Sequence, residues 1–286
     1  VHEVPAIRSY GQCILSIWRG SLWAKCCCKT CNCSPGIPLK VDLEAELLPT
    51  GSLRHTASGM IQDLPGFAEG AWWVQDAAAA MPARILLQAT ATSTDSRVAD
   101  LCSAPGGKTL QLAAAGRQVT SMDSSETRLT RVQENLDRMS LKAEIVHADM
   151  MRWTPPQLFN AVLLDAPCSA TGTLRRHPDL GYLKKRRDVL AYPETQKALL
   201  KRAAEFLTPG GVLVYAVCSL EPEEGQGVVD AVLKDAGLSR QPIDPAPLGL
   251  DSNWIDSAGA LRTLPYYWHH RGGLDGFYVA VLKKNG

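Results

Sequence analysis

The stretch VADLCSAPGGKT, Val98–Thr109, decides how the chain is read. It begins as a short apolar strand, breaks at Pro105-Gly106-Gly107 and runs into a helix expected over Leu110–Ala115. Glycine lets the backbone approach a ligand, and the free N–H groups of a helix start point outward, so this combination makes a site for a polar cofactor. An ordinary βα turn carries glycine too, so the flanking residues must decide. A Walker A loop needs G-x-x-x-x-G-K-[ST]; Gly107-Lys108-Thr109 fits its end, but Cys102 stands where the first glycine belongs. The dinucleotide fingerprint G-x-G-x-x-G is absent as well.

Downstream, a strand over Gln118–Met122 ends at Asp123, where an acid can accept hydrogen bonds from ribose hydroxyls. A third strand, Ala143–His147, leads to Asp149. A methyltransferase-type Rossmann sheet holding S-adenosylmethionine explains all three features better than a nucleotide hydrolase does. The spacing of Leu129, Val132 and Leu136 predicts an amphipathic helix over Ser124–Met139. Phe159–Leu164 is a continuous apolar run, as in a parallel strand covered on both faces, and it ends in Asp165-Ala166-Pro167-Cys168. A polar segment, Ser169–Arg187, precedes a helix over Thr195–Leu207; Pro209-Gly210-Gly211 then turns into the strand Val212–Val217, which ends at Cys218-Ser219. A helix over Pro222–Gly237, a Pro/Asp-rich excursion at Gln241–Ser257 and two last strands, Leu261–Trp268 and Phe277–Leu282, complete the pattern.

Strands alternating with helices predict a doubly wound α/β fold: a Rossmann-like class I S-adenosylmethionine-dependent methyltransferase, with a mostly parallel seven-stranded sheet and helices on both faces. Ligands on such sheets sit beyond the C-terminal strand ends. Cys102, Asp123, Asp149, Asp165, Cys168 and Cys218 all fall at such ends, and this coincidence is the strongest sign of an active site. Upstream, residues 41–90 read as a small lead-in subdomain before a methyltransferase domain at 91–286. Within it Leu47–Gly70 looks strand-rich, and an apolar face from Trp72 to Leu86 predicts a helix over Ala71–Gln88, with Gln75 and Asp76 as solvent-exposed or cofactor-side exceptions.

Residues 1–40 read as an atypical, poorly ordered Cys-rich leader. Six of the nine cysteines lie between Cys13 and Cys33, with a single C-x-x-C and no second pair at zinc spacing, so no metal site is expected. The chain begins at Val1 rather than Met, as a fragment or processed chain would. Its 286 residues suit one large domain with an appendage and allow a sizeable core. A net charge of +1 gives no global field for nucleic acid, so RNA contact must come from local clusters. Those clusters hold Arg175, Arg176 and His177, then Lys184 and Lys185. With no apolar run of about 18 residues and no signal-peptide pattern, a cytoplasmic, monomeric protein without a membrane span is expected.

Two cysteines at strand ends beside a cofactor loop point to one chemistry. Carbon 5 of cytosine is a poor nucleophile until a thiolate adds to carbon 6, after which it can take a methyl group from a sulfonium. An acid near N3 and the exocyclic amine stabilises the adduct, and Asp165 stands three residues from Cys168. A base must then remove the carbon 5 proton, and a second cysteine could help. Such chemistry requires an unpaired or extruded base.

Five stretches, PGFAEGAWWVQDAAA (Pro65–Ala79), DLCSAPGGKT, LLDAPCSATGTLRRHPDL, VYAVCSLEPEEG and GLDGFYVAVLKK (Gly273–Lys284), resemble the RNA 5-methylcytosine methyltransferases of the bacterial ribosomal small-subunit methyltransferase B (Sun/Fmu) family. The resemblance spans Leu64–Lys284. It implies that Cys102, Ser103, Ala104, Pro105, Gly106, Gly107 and Lys108 contact S-adenosylmethionine, that Asp123 holds its ribose and Asp149 its adenine side, and that Asp165 lies at the methyl group and base. It further implies Cys218 as nucleophile, Cys168 as the residue that helps release product, and cytosine in small-subunit ribosomal RNA as substrate. The family usually has Thr where Val217 stands; its NusB-like helical domain is expected to be missing from this chain, and this chain's Cys-rich leader has no counterpart in the family. A transfer RNA substrate and a non-catalytic RNA-binding assembly factor are the alternatives; two intact cysteines argue against the latter.

Overall fold

The computed structural model describes residues 13–16, 45–55, 60–91 and 96–286. Of the Cys-rich leader, only Cys13–Ser16 falls among them. That segment is a strand, β1, which pairs antiparallel with β3 (Leu53–His55) and β4 (Trp73–Val74), while β2 (Glu46–Leu47) pairs with the far side of β3. The helix expected over Ala71–Gln88 is therefore only its second half, α1, Met81–Ala89. Trp72 and Trp73 are buried in two different apolar clusters, as successive side chains of a strand are. Asp76 accepts a hydrogen bond from the Ala78 N–H at 2.8 Å, turning the chain, and Pro82 occupies the first helical turn, where its missing N–H costs nothing.

The main sheet is built by β5 (Arg97–Leu101), β6 (Gln118–Asp123), β7 (Glu144–His147), β8 (Phe159–Asp165), β9 (Leu207–Val217), β10 (Leu238–Gln241), β11 (Leu261–Thr263) and β12 (Phe277–Lys284). Seven strands lie in the order β10-β12-β9-β8-β5-β6-β7, and β11 pairs with β12 off that line. The five strands from β9 to β7 are mutually parallel, whereas β12 runs antiparallel to β9 and to β10. Period-two alternation divides their side chains between two helical layers. Ala99, Leu101, Val162, Leu164, Leu213, Tyr215 and Val217 meet α6 (Tyr192–Glu205) and α7 (Gln226–Val232) on one face, the short helices α4 (Leu180–Leu183) and α5 (Arg186–Leu190) preceding α6. Val98, Ala161, Leu163, Val214 and Ala216 meet α1 and Leu112 of α2 (Gly107–Ala114) on the other. Both layers of side chains are buried, which is why these strands read as unbroken apolar runs.

Among the boundaries that differ from the sequence expectation, three bear on the sheet. The turn at Pro209-Gly210-Gly211 lies inside β9 as a bulge: Phe159 pairs with Leu207 and Ala161 already with Val212. The strand expected over Leu261–Trp268 stops at Thr263, because Pro265 has no N–H for a ladder and the chain turns at Leu264–Tyr267. The strand β10 lies where helix and loop were expected to meet, and takes its partner from β12 at the far end of the chain.

The helix α3 (Glu126–Arg138) is capped by Ser125 and packs Leu129, Val132 and Leu136 against α2. Its Arg138 donates to the carbonyls of Phe67 and Trp72, both at 2.9 Å, and lies over the Phe67 ring, so the lead-in residues are fixed to the end of α3.

Inside β5, Asp100 is fully buried, and one of its oxygens accepts a 2.6 Å hydrogen bond from Thr109 of α2 while the other has no partner among the described residues. Burial pushes its carboxyl up to about 7. The folded protein thus holds this proton more tightly than the unfolded chain, and the stability it contributes is lost as pH rises from the ordinary carboxylate range through about 7. Asp100→Asn keeps the acceptor and removes the titration. The unfolding free energy of the variant should gain on wild type by on the order of 2 kcal/mol between pH 5 and pH 8, measured by denaturant titration at both pH values.

Candidate active site

Parallel register sets the level of the site. Leu101 pairs with Met122 on one side and Leu164 on the other, and Asp165 pairs with Ala216. The residues that leave these strands therefore emerge side by side on one rim: Cys102, Asp123, Asp165 with Cys168 after it, and Cys218.

The loop after β5 is held by its own backbone and by three hydroxyls below it. Cys102 takes a left-handed conformation (φ 56°), Ala104-Pro105 is a cis peptide, and Gly106 caps α2 at φ 101°, a conformation that favours glycine. Ser103 donates its N–H to Met122 and shares a 2.8 Å hydroxyl contact with Ser121, which in turn lies 3.0 Å from the Thr109 hydroxyl. This chain from Ser103 through Ser121 and Thr109 to Asp100 is the part of the site that sequence reasoning missed. A buried polar residue inside an apolar strand, as Asp100 and Ser121 are, is the signal that would have found it.

Asp123 is buried at the end of β6. One oxygen accepts the Ala104 N–H at 3.2 Å and the other the Ser125 N–H at 3.0 Å, and Arg128 lies 3.6 Å away. A carboxylate with two donors has lone pairs left for a diol. Asp149, exposed beyond β7, caps its own turn by accepting the Met151 N–H, and it faces Arg152 at 3.7 Å. The neighbouring Ala148 N–H reaches the Asp123 carbonyl, which keeps the two acids on the same rim. Burial, reinforced by Asp123 and Asp165, pushes the Cys102 thiol up to about 12, so it remains protonated.

The sulfurs of Cys168 and Cys218 lie 3.4 Å apart. Hydrogen bonding to Cys218 and burial push the Cys168 thiol well above its ordinary range. Lys108, from the first turn of α2, donates to Asp165 at 2.6 Å and sits 5.5 Å from the centre of the Phe277 ring. Burial pulls the Lys108 ammonium down, but Asp165 outweighs it and the net direction is up. The lysine is 10% exposed and Asp165 29%, so the acid is the partner that opens outward. Gly172 donates to the Cys218 carbonyl at 3.0 Å, and a Cβ there would lie 1.9 Å from the Gly276 carbonyl oxygen, so only glycine lets the loop after Cys168 lie against the β9 end.

The basic residues are placed differently from the sequence expectation. Arg175 pairs with the buried Asp76 at 2.8 Å and with Asp275 at 3.4 Å, and Arg176 makes a two-pronged contact with Asp275. Both arginines answer buried carboxylates far away in the chain, and Arg176 remains exposed. Gln75 and Asp76 are likewise buried rather than solvent-exposed: Gln75 bonds Trp73 and Gln111, and Asp76 receives the Asp275 N–H. His177 and Lys185 are exposed, and Lys184 lies 3.4 Å from the Tyr192 hydroxyl. Among the described residues no group of three or more His, Cys, Asp or Glu is arranged to hold a metal, and no helix is long and apolar enough to cross a membrane.

The family model described as 16S rRNA methyltransferase RsmB/F matches residues 86–283. The chain is 40% identical over 232 residues to the ribosomal RNA small subunit methyltransferase B of Vibrio cholerae, covering 78% of this chain and 49% of that protein. It spans about half the length of the curated relatives it matches. A methyltransferase homologue from Pyrococcus horikoshii shares 26% identity at a TM-score of 0.67, covering 86% of this chain and 84% of that one. NSun6 of the same organism, solved with SFG, also gives 26% and 0.67, over 80% of this chain and 57% of its own. With a family model matching more than half of its residues, the chain belongs to the 16S rRNA methyltransferase RsmB/F family.

Proposed function

We propose that the chain transfers a methyl group from S-adenosylmethionine to carbon 5 of a cytosine in RNA, small-subunit ribosomal RNA above all, through a covalent bond to Cys218. The observation that carries this reading is the pair of thiols 3.4 Å apart at level strand ends, beside the Lys108–Asp165 ion pair. Family membership supports methyl transfer, and the relative solved with SFG, an analogue of S-adenosylmethionine, supports the cofactor.

The residues fit that cofactor. Asp123 keeps acceptor capacity for ribose hydroxyls, Asp149 stands beside it, and the loop from Cys102 to Lys108 brings bare backbone to the rim. When bound, the cofactor supplies an electrophilic sulfonium methyl. Cys218 loses its thiol proton to solvent and adds as a thiolate to carbon 6 of the base, forming an S–C bond and moving the electron pair onto the ring. Asp165, held by Lys108, accepts from the exocyclic amine with its free oxygen, while the lysine's positive charge offsets the charge developing at N3. Once carbon 5 carries the methyl, Cys168, its own thiol proton first released to solvent, takes the carbon 5 proton as a thiolate, and the S–C bond to Cys218 breaks with the electron pair returning to the Cys218 sulfur. Once deprotonated, a sulfur with high proton affinity is a strong acceptor. His177, Lys184 and Lys185 are the expected phosphate contacts that remain, with Arg175 and Arg176 committed to Asp76 and Asp275.

Labelled methyl transfer to RNA tests the assignment. Cys218→Ala should lower the rate at least about 1,000-fold, because the nucleophile is gone, and full activity in that variant refutes the role. Cys168→Ala should still attack but fail to release, so a protein–RNA adduct that survives denaturation should accumulate on gels. Free turnover of that variant without adduct contradicts its part in release.

A further inference from the structure

We propose that Glu224 is a positioning residue that sets the separation of the two sulfurs. The inference rests on the reading above, in which both sulfurs serve the transfer. Glu224 lies six residues after Cys218, just before α7, and is fully buried. Among the described residues it has no ion pair. Burying a carboxylate without a cation is expensive, so its hydrogen bonds must account for it.

Those bonds converge on the neighbours of both cysteines. One oxygen accepts the Ser169 N–H at 2.8 Å and the Gln196 amide at 3.0 Å. The other accepts the Ser219 hydroxyl at 3.1 Å. Ser169 directly follows Cys168, and Ser219 directly follows Cys218. Gln196, from α6, also donates to the Pro167 carbonyl at 2.9 Å, so the residues on both sides of Cys168 are held from the same point. The Glu224 carbonyl accepts the Tyr215 hydroxyl at 2.6 Å, which anchors the clamp to β9 itself.

The chemistry of the donors explains the residue type. A backbone N–H cannot be turned into an acceptor, the Gln196 amide is held as a donor because it also donates to the Pro167 carbonyl, and the Ser219 hydroxyl points its hydrogen inward. Only a carboxylate offers two acceptor oxygens and no donor. Glutamine would turn an N–H2 towards one arm. The Ser219 hydroxyl can yield to it, because Ser169 and Thr171 hydroxyls lie 3.3 Å away as alternative partners. Glu224→Gln therefore keeps the Cys168 arm and rewires the Cys218 arm, whereas Glu224→Ala releases both.

Disulfide capture reads sulfur separation without RNA or catalysis. Diamide takes up the two thiol hydrogens, and the rate of Cys168–Cys218 bond formation is followed by peptide mapping on the whole chain. Glu224→Ala should slow capture about tenfold, with Glu224→Gln in between, since small displacements carry large rate penalties. Affinity for S-adenosylhomocysteine, measured by calorimetry, should stay at the wild-type value in both variants, because Asp123 and the loop after β5 are untouched. A folded Glu224→Ala protein that captures at the wild-type rate or faster overturns the proposal. Should that variant fail to fold, Glu224→Gln decides: slower capture supports the clamp, and an unchanged rate overturns it. Failure of methyl transfer in the wild-type protein would sink the proposed function but leave this comparison intact.

Discussion

Everything at the rim depends on the parallel register between β8 and β9. Asp165 lies opposite Ala216, so the chain leaves both strands at one level and a few residues of turn suffice to bring two sulfurs to 3.4 Å. A slip of one residue would swap the faces of every side chain in either strand. It would carry Val217 or Tyr215 out of the α6–α7 layer, where both are fully buried. The apolar packing that stabilises the sheet is thus the same constraint that sets the two sulfurs side by side.

The loop after β5 and the Asp165 end of the rim, the parts proposed to hold cofactor and base, meet at Lys108. The lysine begins on the helix that follows the glycine turn, yet its ammonium reaches across to Asp165 on the next strand. The acid is thereby oriented by the loop that would carry the methyl donor. A shift of α2 would move the lysine with it, so the two halves cannot drift apart independently. Beneath them the Ser103–Ser121–Thr109–Asp100 chain replaces apolar contact with directed hydrogen bonds, which fix the loop more sharply than packing alone.

The strand ends were legible in the sequence because they obey short-range rules: apolar runs, a glycine turn, acids where strands stop. Cys168 and Cys218 could be assigned to one rim from alternation alone. The misread helix over Ala71–Gln88 shows the limit of such rules, since Trp72, Trp73 and Val74 suit a helix face and a strand equally well and only β1, far back in the chain, decides between them. Arg175 and Arg176 looked like phosphate contacts because their partners, Asp76 and Asp275, lie about a hundred residues away on either side. Glu224 was invisible for the same reason: as one acid within Glu221–Glu224 it resembles a solvated turn, and its importance arises from donors on other elements.

The central claim is that Cys218 is the atom that bonds to the base. RNA bearing 5-fluorocytosine cannot lose its carbon 5 substituent as a proton, so the enzyme should remain attached after methyl transfer. Digestion of that complex and mass spectrometry of the modified peptide measure the point of attachment. The account predicts the fragment containing Cys218; attachment through Cys168, or no attachment while methyl transfer to ordinary RNA proceeds, would contradict it.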